Sequence, residues 1–203
     1  MTSRVIRFFL ILVPLILGQC SSLPPWNPVP TGQSAVYATI ETDDTTLGFI
    51  SFSDYPDIVA VSVDHQRGGF NPRYALIVEP PERAALREAC DKYFAWQKLA
   101  VDNQVEITKG IRTVMLGQMY GPGPGWRYGG TREVRFVFSS RRDAENTPTA
   151  TLRVISMDYF TYRDQFALDY GQVKQLSDAL QDSAVAGGYQ AAKKKQQTID
   201  MFK

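Results

Sequence analysis

The chain has 203 residues, 44% of them apolar and 21% charged, with 22 basic against 21 acidic side chains. These proportions suit a globular protein and exclude a disordered or collagen-like chain. A net charge of +1 provides no strong field for nucleic acid or a charged surface, and two cysteines are too few for a disulfide framework.

The first segment is tripartite. Arg4 and Arg7 precede the apolar run Phe8 to Gly18, which small residues and a cysteine follow. The run is shorter than the ~20 residues a membrane-spanning helix needs and fits an export signal. Leu17-Gly18-Gln19-Cys20 resembles the lipobox of bacterial lipoproteins, with Gln19 standing where a small residue is usual. The resemblance implies cleavage before Cys20, lipid such as palmitate on Cys20, and a membrane-anchored cell-envelope protein, on the periplasmic side or in the outer membrane. The alternative is an ordinary secretory signal cut after Ser22, giving a secreted protein. Residues 1–19 are thus a signal peptide, and residues 20–34 carry the lipidated cysteine and a proline-rich tether containing Trp26.

Strand patterns begin at Ala35. Val36–Ile40 and Leu47–Phe52 alternate around an Asp43-Asp44 turn, and Asp54 and Asp57 mark the next turn before Ile58–Val63. A polar loop with His65, the chain's single histidine, separates this strand from Arg73–Val78. Pro80-Pro81 opens a helix whose stripe runs through Leu86, Cys90, Tyr93, Phe94, Gln97, Ala100 and Val101. Cys90 falls on the apolar face and reads as a small buried hydrophobe. Val105–Met119 reads as one bent strand or two; a long loop then runs from Tyr120 to Thr131. Glu133–Phe138, Ala150–Met157 and a shorter segment between Tyr159 and Leu168 are further strands. Val173, Leu176, Leu180 and Ala184 predict a helix ending near Gly187-Gly188, with residues 189–203 a polar, frayed tail.

The expected fold class is α+β: one domain over residues 35–188, a mostly antiparallel sheet with two main helices. Its halves, 35–102 and 103–188, each read as strands followed by a helix. This resembles in architecture the whirly and purine-rich-element-binding folds, whose repeats have four strands and a helix. Those families bind single-stranded nucleic acid; a near-neutral exported domain argues against that use here.

Gly121-Pro122-Gly123-Pro124-Gly125 is no phosphate cradle, because each proline removes a backbone N–H. The loop does gather Tyr120, Trp126, Arg127, Tyr128 and Arg132, a candidate ligand-binding patch against the plainer expectation that its aromatics fold onto the sheet. No cofactor or metal site is expected: the aspartates, Asp158 included, match no calcium loop, and His65 lacks companions. Lys193-Lys194-Lys195 reads as a solvated run, with contact to anionic lipid or protein as the lesser reading. The leading expectation is a lipid-anchored envelope protein acting as a non-enzymatic interaction or structural module. Its partners would be the membrane, through the lipid, and an envelope protein or glycan. A ligand-binding module using the Trp126 loop, or an envelope enzyme using His65 or paired aspartates, are the alternatives.

Overall fold

A computed structural model of the chain describes residue 30 and residues 32–65, 74–120, 127–157 and 163–203. Four strands come first: β1 (Ser34–Glu41), β2 (Thr45–Phe52), β3 (Tyr55–His65) and β4 (Tyr74–Val78). Helix α1 (Pro80–Asp102) follows, then β5 (Ile107–Tyr120), β6 (Arg127–Arg142), β7 (Pro148–Met157) and β8 (Arg163–Leu168). Helices α2 (Tyr170–Ala179) and α3 (Asp182–Asp200) come last. The strands form one antiparallel sheet in chain order, β1 to β8. The fold is α+β, with three helices where two main ones are expected.

The helices cover one face of the sheet. Period-2 alternation sends Leu47, Phe49, Val61, Leu76, Leu116, Phe136 and Leu152 toward them, into a single core with Leu86, Tyr93 and Leu176. α1 lies on β5, β6 and β7, while α3 lies on β1, β2 and β3. Tyr93, fully buried, stacks edge-on with Phe94 and donates its hydroxyl to the Ala150 carbonyl at 2.9 Å, which fixes α1 over β7. In β1 the register shifts between Val36 and Ala38. This bulge re-aims Tyr37, whose ring meets Phe49 and whose hydroxyl donates to the Ala179 carbonyl at 3.0 Å. The opposite face carries a smaller apolar cluster, Ile50, Phe52, Ala60, Ala75, Ile77 and Met119.

β5 is one strand, bent by register shifts at Gly110/Arg112 and Gly117/Met119. β6 begins at Arg127, inside the stretch expected to be loop, because Tyr120 and Met119 pair with Arg127 and Tyr128. The helix expected from Val173 is two helices. α2 opens on a capping box between Asp169 and Gln172 and stops at Leu180; extended backbone at Gln181 then starts α3. α3 passes through Gly187-Gly188 and reaches Asp200, so most of the expected tail is helix.

Candidate functional site

β5 has 14 residues, yet β4 pairs with only Tyr120 back to Gly117. Among the described residues, the rest of that edge of β5 has no strand beside it. α1 fills the angle instead, held to β5 by the Glu88–Arg112 ion pair. The C-terminal part of α1 and the exposed start of β5 enclose a groove of about 380 Å³. That size is within the ~300–1,000 Å³ range of ligand pockets.

The groove is built by the end of α1. Trp96, Leu99, Ala100 and Asn103 recur at three- and four-residue spacing and share a helix face. The helix ends in a Schellman motif: Val105 N–H donates to the Ala100 carbonyl and Gln104 N–H to the Val101 carbonyl. Gln104 takes the left-handed conformation this turn needs, φ 53°. The side chain of Asn103 caps Leu99 O at 2.8 Å. The turn swings the chain back, so that Val105, Ile107 and Lys109 form the second wall, with Phe138 of β6 beneath.

Its lining is apolar and open. Leu99, Val105 and Ile107 are 59%, 46% and 43% exposed, an apolar cluster of the kind that marks binding surfaces. Trp96 stands edge-on to Phe138, ring centroids 5.8 Å apart. Two ammonium groups share its indole: Lys92 Nζ lies 4.9 Å and Lys109 Nζ 5.2 Å from the ring. Among the described residues no carboxylate lines the groove. Such a site takes an apolar group that carries negative charge beside it. Among the described lining residues there is no nucleophile paired with a base.

The residues expected to form a patch around Trp126 divide between the two faces of the sheet. Tyr120 pairs with Arg127 on the helix side, and its ring lies over Gly129, where a Cβ would come within 2.0 Å of it. Tyr128 points to the other face, half-buried against the Met119 cluster, and burial raises its hydroxyl pKa. Arg127 is exposed. Arg132 is 3% exposed, its guanidinium 4.6 Å above the Tyr74 ring. Trp126, Cys20, Trp26, Asp158 and the Gly121–Gly125 loop lie outside the described residues, as does the imidazole of His65. Asp44, between β1 and β2, accepts from Thr45 Oγ1, and Asp54, between β2 and β3, accepts from Gly32 N–H ahead of β1.

Among the described residues no cluster of three or more His, Cys, Asp or Glu side chains is placed to hold a metal ion, and no helix is long and apolar enough to cross a membrane. Burial, and secondarily the Asp91 carboxylate, push the Cys90 thiol up to about 12. Sequence reasoning passes over the groove because Trp96 and Leu99 fall beside the main stripe of α1. Apolar residues off that stripe, with Val105 and Ile107 close behind, are the signal that locates it.

No family model matches the chain, and neither a curated protein nor a solved structure matches it.

Proposed function

We propose that this chain is an exported, lipid-anchored cell-envelope protein whose domain is a non-enzymatic interaction module, and that the Trp96 groove is its binding surface. The observation that carries the reading is an open apolar groove with two lysines on one indole. The Arg4–Cys20 segment supports the location. A protein segment that brings an apolar side chain beside a carboxylate fits this lining; a neutral glycan does not.

We infer further that the halves are related repeats. β4 and β8 each pass into a helix through one acidic residue, Glu79 and Asp169. The buried pairs Leu86 and Leu176, Ala89 and Ala179, Cys90 and Leu180 then keep one constant separation. Four strands and a helix per unit is the whirly-like plan, an analogy of architecture that carries no function with it.

The experiment has two arms. Mass analysis of the mature N-terminus, with Cys20→Ala beside it, tests the anchor: an unmodified Cys20 and a membrane-bound mutant overturn it. Titration of the chain from Ser21 onward with anilinonaphthalene sulfonate, an apolar body bearing one negative charge, tests the groove. Binding should be lost in Leu99→Arg and weakened about tenfold in the Lys92→Glu, Lys109→Glu double variant, as expected when two exposed cation contacts are reversed. Binding indifferent to both variants rules the groove out.

A further inference from the structure

We propose that the end of α3 is a second membrane contact, in which Lys193, Lys194 and Lys195 meet anionic lipid headgroups while Met201 and Phe202 enter the interface. The proposal rests on the anchor reading of Cys20.

Four observations converge on this segment. First, α3 is buried only as far as Ala192; beyond it no residue is buried, although the helix continues to Asp200. Past Ala192 only Gln196 and Ile199 are even partly buried, so this end of the helix gains little from the core. Second, its charge is one-sided. Three consecutive lysines and Lys203 face a single acid, Asp200, which is bonded to Lys203 Nζ at 2.8 Å. Third, its tip is apolar and open, with Met201 76% and Phe202 86% exposed. Solvated lysines alone need no partner, but a Met-Phe pair held out in water beside them does.

The fourth observation says what covers the segment. The tether joins the domain against this part of α3: Gln33 N–H donates to Gln196 Oε1 at 3.3 Å, and Lys195 Nζ donates to the Ser34 carbonyl at 3.1 Å. Phe202 is six residues beyond Gln196, about 9 Å along a helix. The residues between Cys20 and Ser34 reach at most about 50 Å even when fully extended. A lipid on Cys20 therefore keeps the bilayer within reach of the end of α3 that carries the lysines and Phe202. The lipid holds the protein to the bilayer, and a basic patch beside it adds attraction to anionic headgroups. Together they would fix how the domain stands on the membrane.

The test uses the full-length protein in vesicles. Phe202→Cys carries an environment-sensitive nitrobenzoxadiazole label; Cys90 is buried and Cys20 blocked if lipidated, so one label is expected by mass. In vesicles with phosphatidylglycerol, the label should brighten and be quenched by spin-labelled lipid. Both effects should be lost in vesicles of phosphatidylcholine alone, and in the Lys193→Glu, Lys194→Glu, Lys195→Glu variant, while the protein still floats with the vesicles. Flotation without lipid quenching at Phe202 overturns the proposal and leaves the anchor standing. Brightening that rises with protein density and resists lipid quenching identifies a second copy or another protein as the occupant, and also overturns it. Two labels per chain show Cys20 unmodified, which overturns the anchor reading. The Cys20→Ser form, singly labelled, then decides the contact by itself: quenching on adding anionic vesicles supports it, and no quenching overturns it.

Discussion

Arg83, in the first turns of α1, donates to Asp182 at the start of α3 across 3.0 Å and to the Asp57 carbonyl near the start of β3 across 2.9 Å. One side chain thereby ties together the helices that cover the two halves of the sheet. The partners are unequal, because the Arg83 side chain is 10% exposed and that of Asp182 is 78% exposed. Removing Arg83 discards a buried stem and two charge-assisted bonds, whereas removing Asp182 leaves Arg83 its carbonyl and nearby water. Arg83→Met should cost about 2–3 kcal/mol and Asp182→Ala under about 1 kcal/mol in urea denaturation. Equal costs would mean that the ion pair, not the buried stem and carbonyl bond, carries the link.

The adjacent glycines of α3 should respond in opposite directions. A Cβ on Gly187 meets nothing within 4 Å, while one on Gly188 would sit 2.5 Å from Ser51 Oγ and 2.5 Å from Tyr37 Cδ1. Gly187→Ala should stabilise the protein by about 0.5–1 kcal/mol through helix propensity. Gly188→Ala should destabilise it by about 1–3 kcal/mol, because Tyr37 is held by its bond to Ala179 and cannot withdraw freely. Denaturation midpoints of the two variants give the comparison.

These glycines also show where the sequence stops being legible. Period-2 alternation located strands in both halves, and the Leu86–Val101 stripe located α1, because those patterns arise locally. Gly187-Gly188 reads as a helix end from propensity alone. The structure gives Gly188 a tertiary reason instead, the close approach of α3 to β2. The strand start at Arg127 was masked by glycines, and the pairing that creates it is not local. Tyr120, Tyr128 and Arg132 are close in sequence, yet the register shift at Gly117/Met119 puts Tyr128 on the face opposite the other two, where plain alternation would have left it on the same side as Arg132. The groove depends on where β4 stops along β5, which only the assembled sheet determines.

Alkaline pH should destabilise the protein through the buried Cys90 and the half-buried Tyr37. Burial raises the Cys90 thiol from 9.0 to about 12, with Asp91 adding to it, and raises Tyr37 from 10.0 to about 12 against the opposing pull of Arg83. A raised pKa means that the folded state holds its proton more tightly than the unfolded chain. The stability this contributes is complete below pH 9 and is lost as the pH climbs from there to about 12. Melting temperatures should fall across that window, and less steeply in Cys90→Ala. At pH 8 a thiol reagent should leave Cys90 unmodified until denaturant is added.

The Schellman turn that closes α1 has glutamine where glycine is favoured. Gln104 has φ 53°, a conformation that costs a residue with a Cβ about 1 kcal/mol. Its carbonyl accepts from Arg142 Nη2 at 3.2 Å, a bond that glycine keeps, while the longer exposed bond from the same nitrogen to Gln104 Oε1, 3.4 Å, is lost. Gln104→Gly should therefore raise stability by about 0.5 kcal/mol, the relief of strain being partly offset by a freer unfolded chain. Binding of the naphthalene sulfonate probe should be unchanged, since Val105 and Ile107 keep their positions. A stability loss would show that the Gln104 side chain is needed at the turn.

Under the helices, toward the end of the sheet where β5 turns into β6, the core carries polar side chains that a tightly packed interior would avoid. Gln118 Nε2 and Ser156 Oγ are buried and have no hydrogen-bond partner among the described residues; Gln118 is 2% and Ser156 1% exposed. An unmet buried hydroxyl costs about 1–3 kcal/mol of desolvation with no return. Ser156 pairs with Val134 on one side and with Asp164 on the other. Ser156→Ala deletes the unmet group and leaves almost no void, so it should stabilise the fold by about 1 kcal/mol in urea denaturation. Gln118→Leu keeps most of the volume beside Leu116 and Leu76 and should act in the same direction. Because Ser156 and Gln118 share the polar end of one core with Arg132 and Tyr74, the double variant should deviate from additivity, whereas either one combined with Gly187→Ala should add within about 0.5 kcal/mol. A loss of stability in both single variants would show that these groups are bonded in solution, and the polar end of the core would then be a structural network and not a cost.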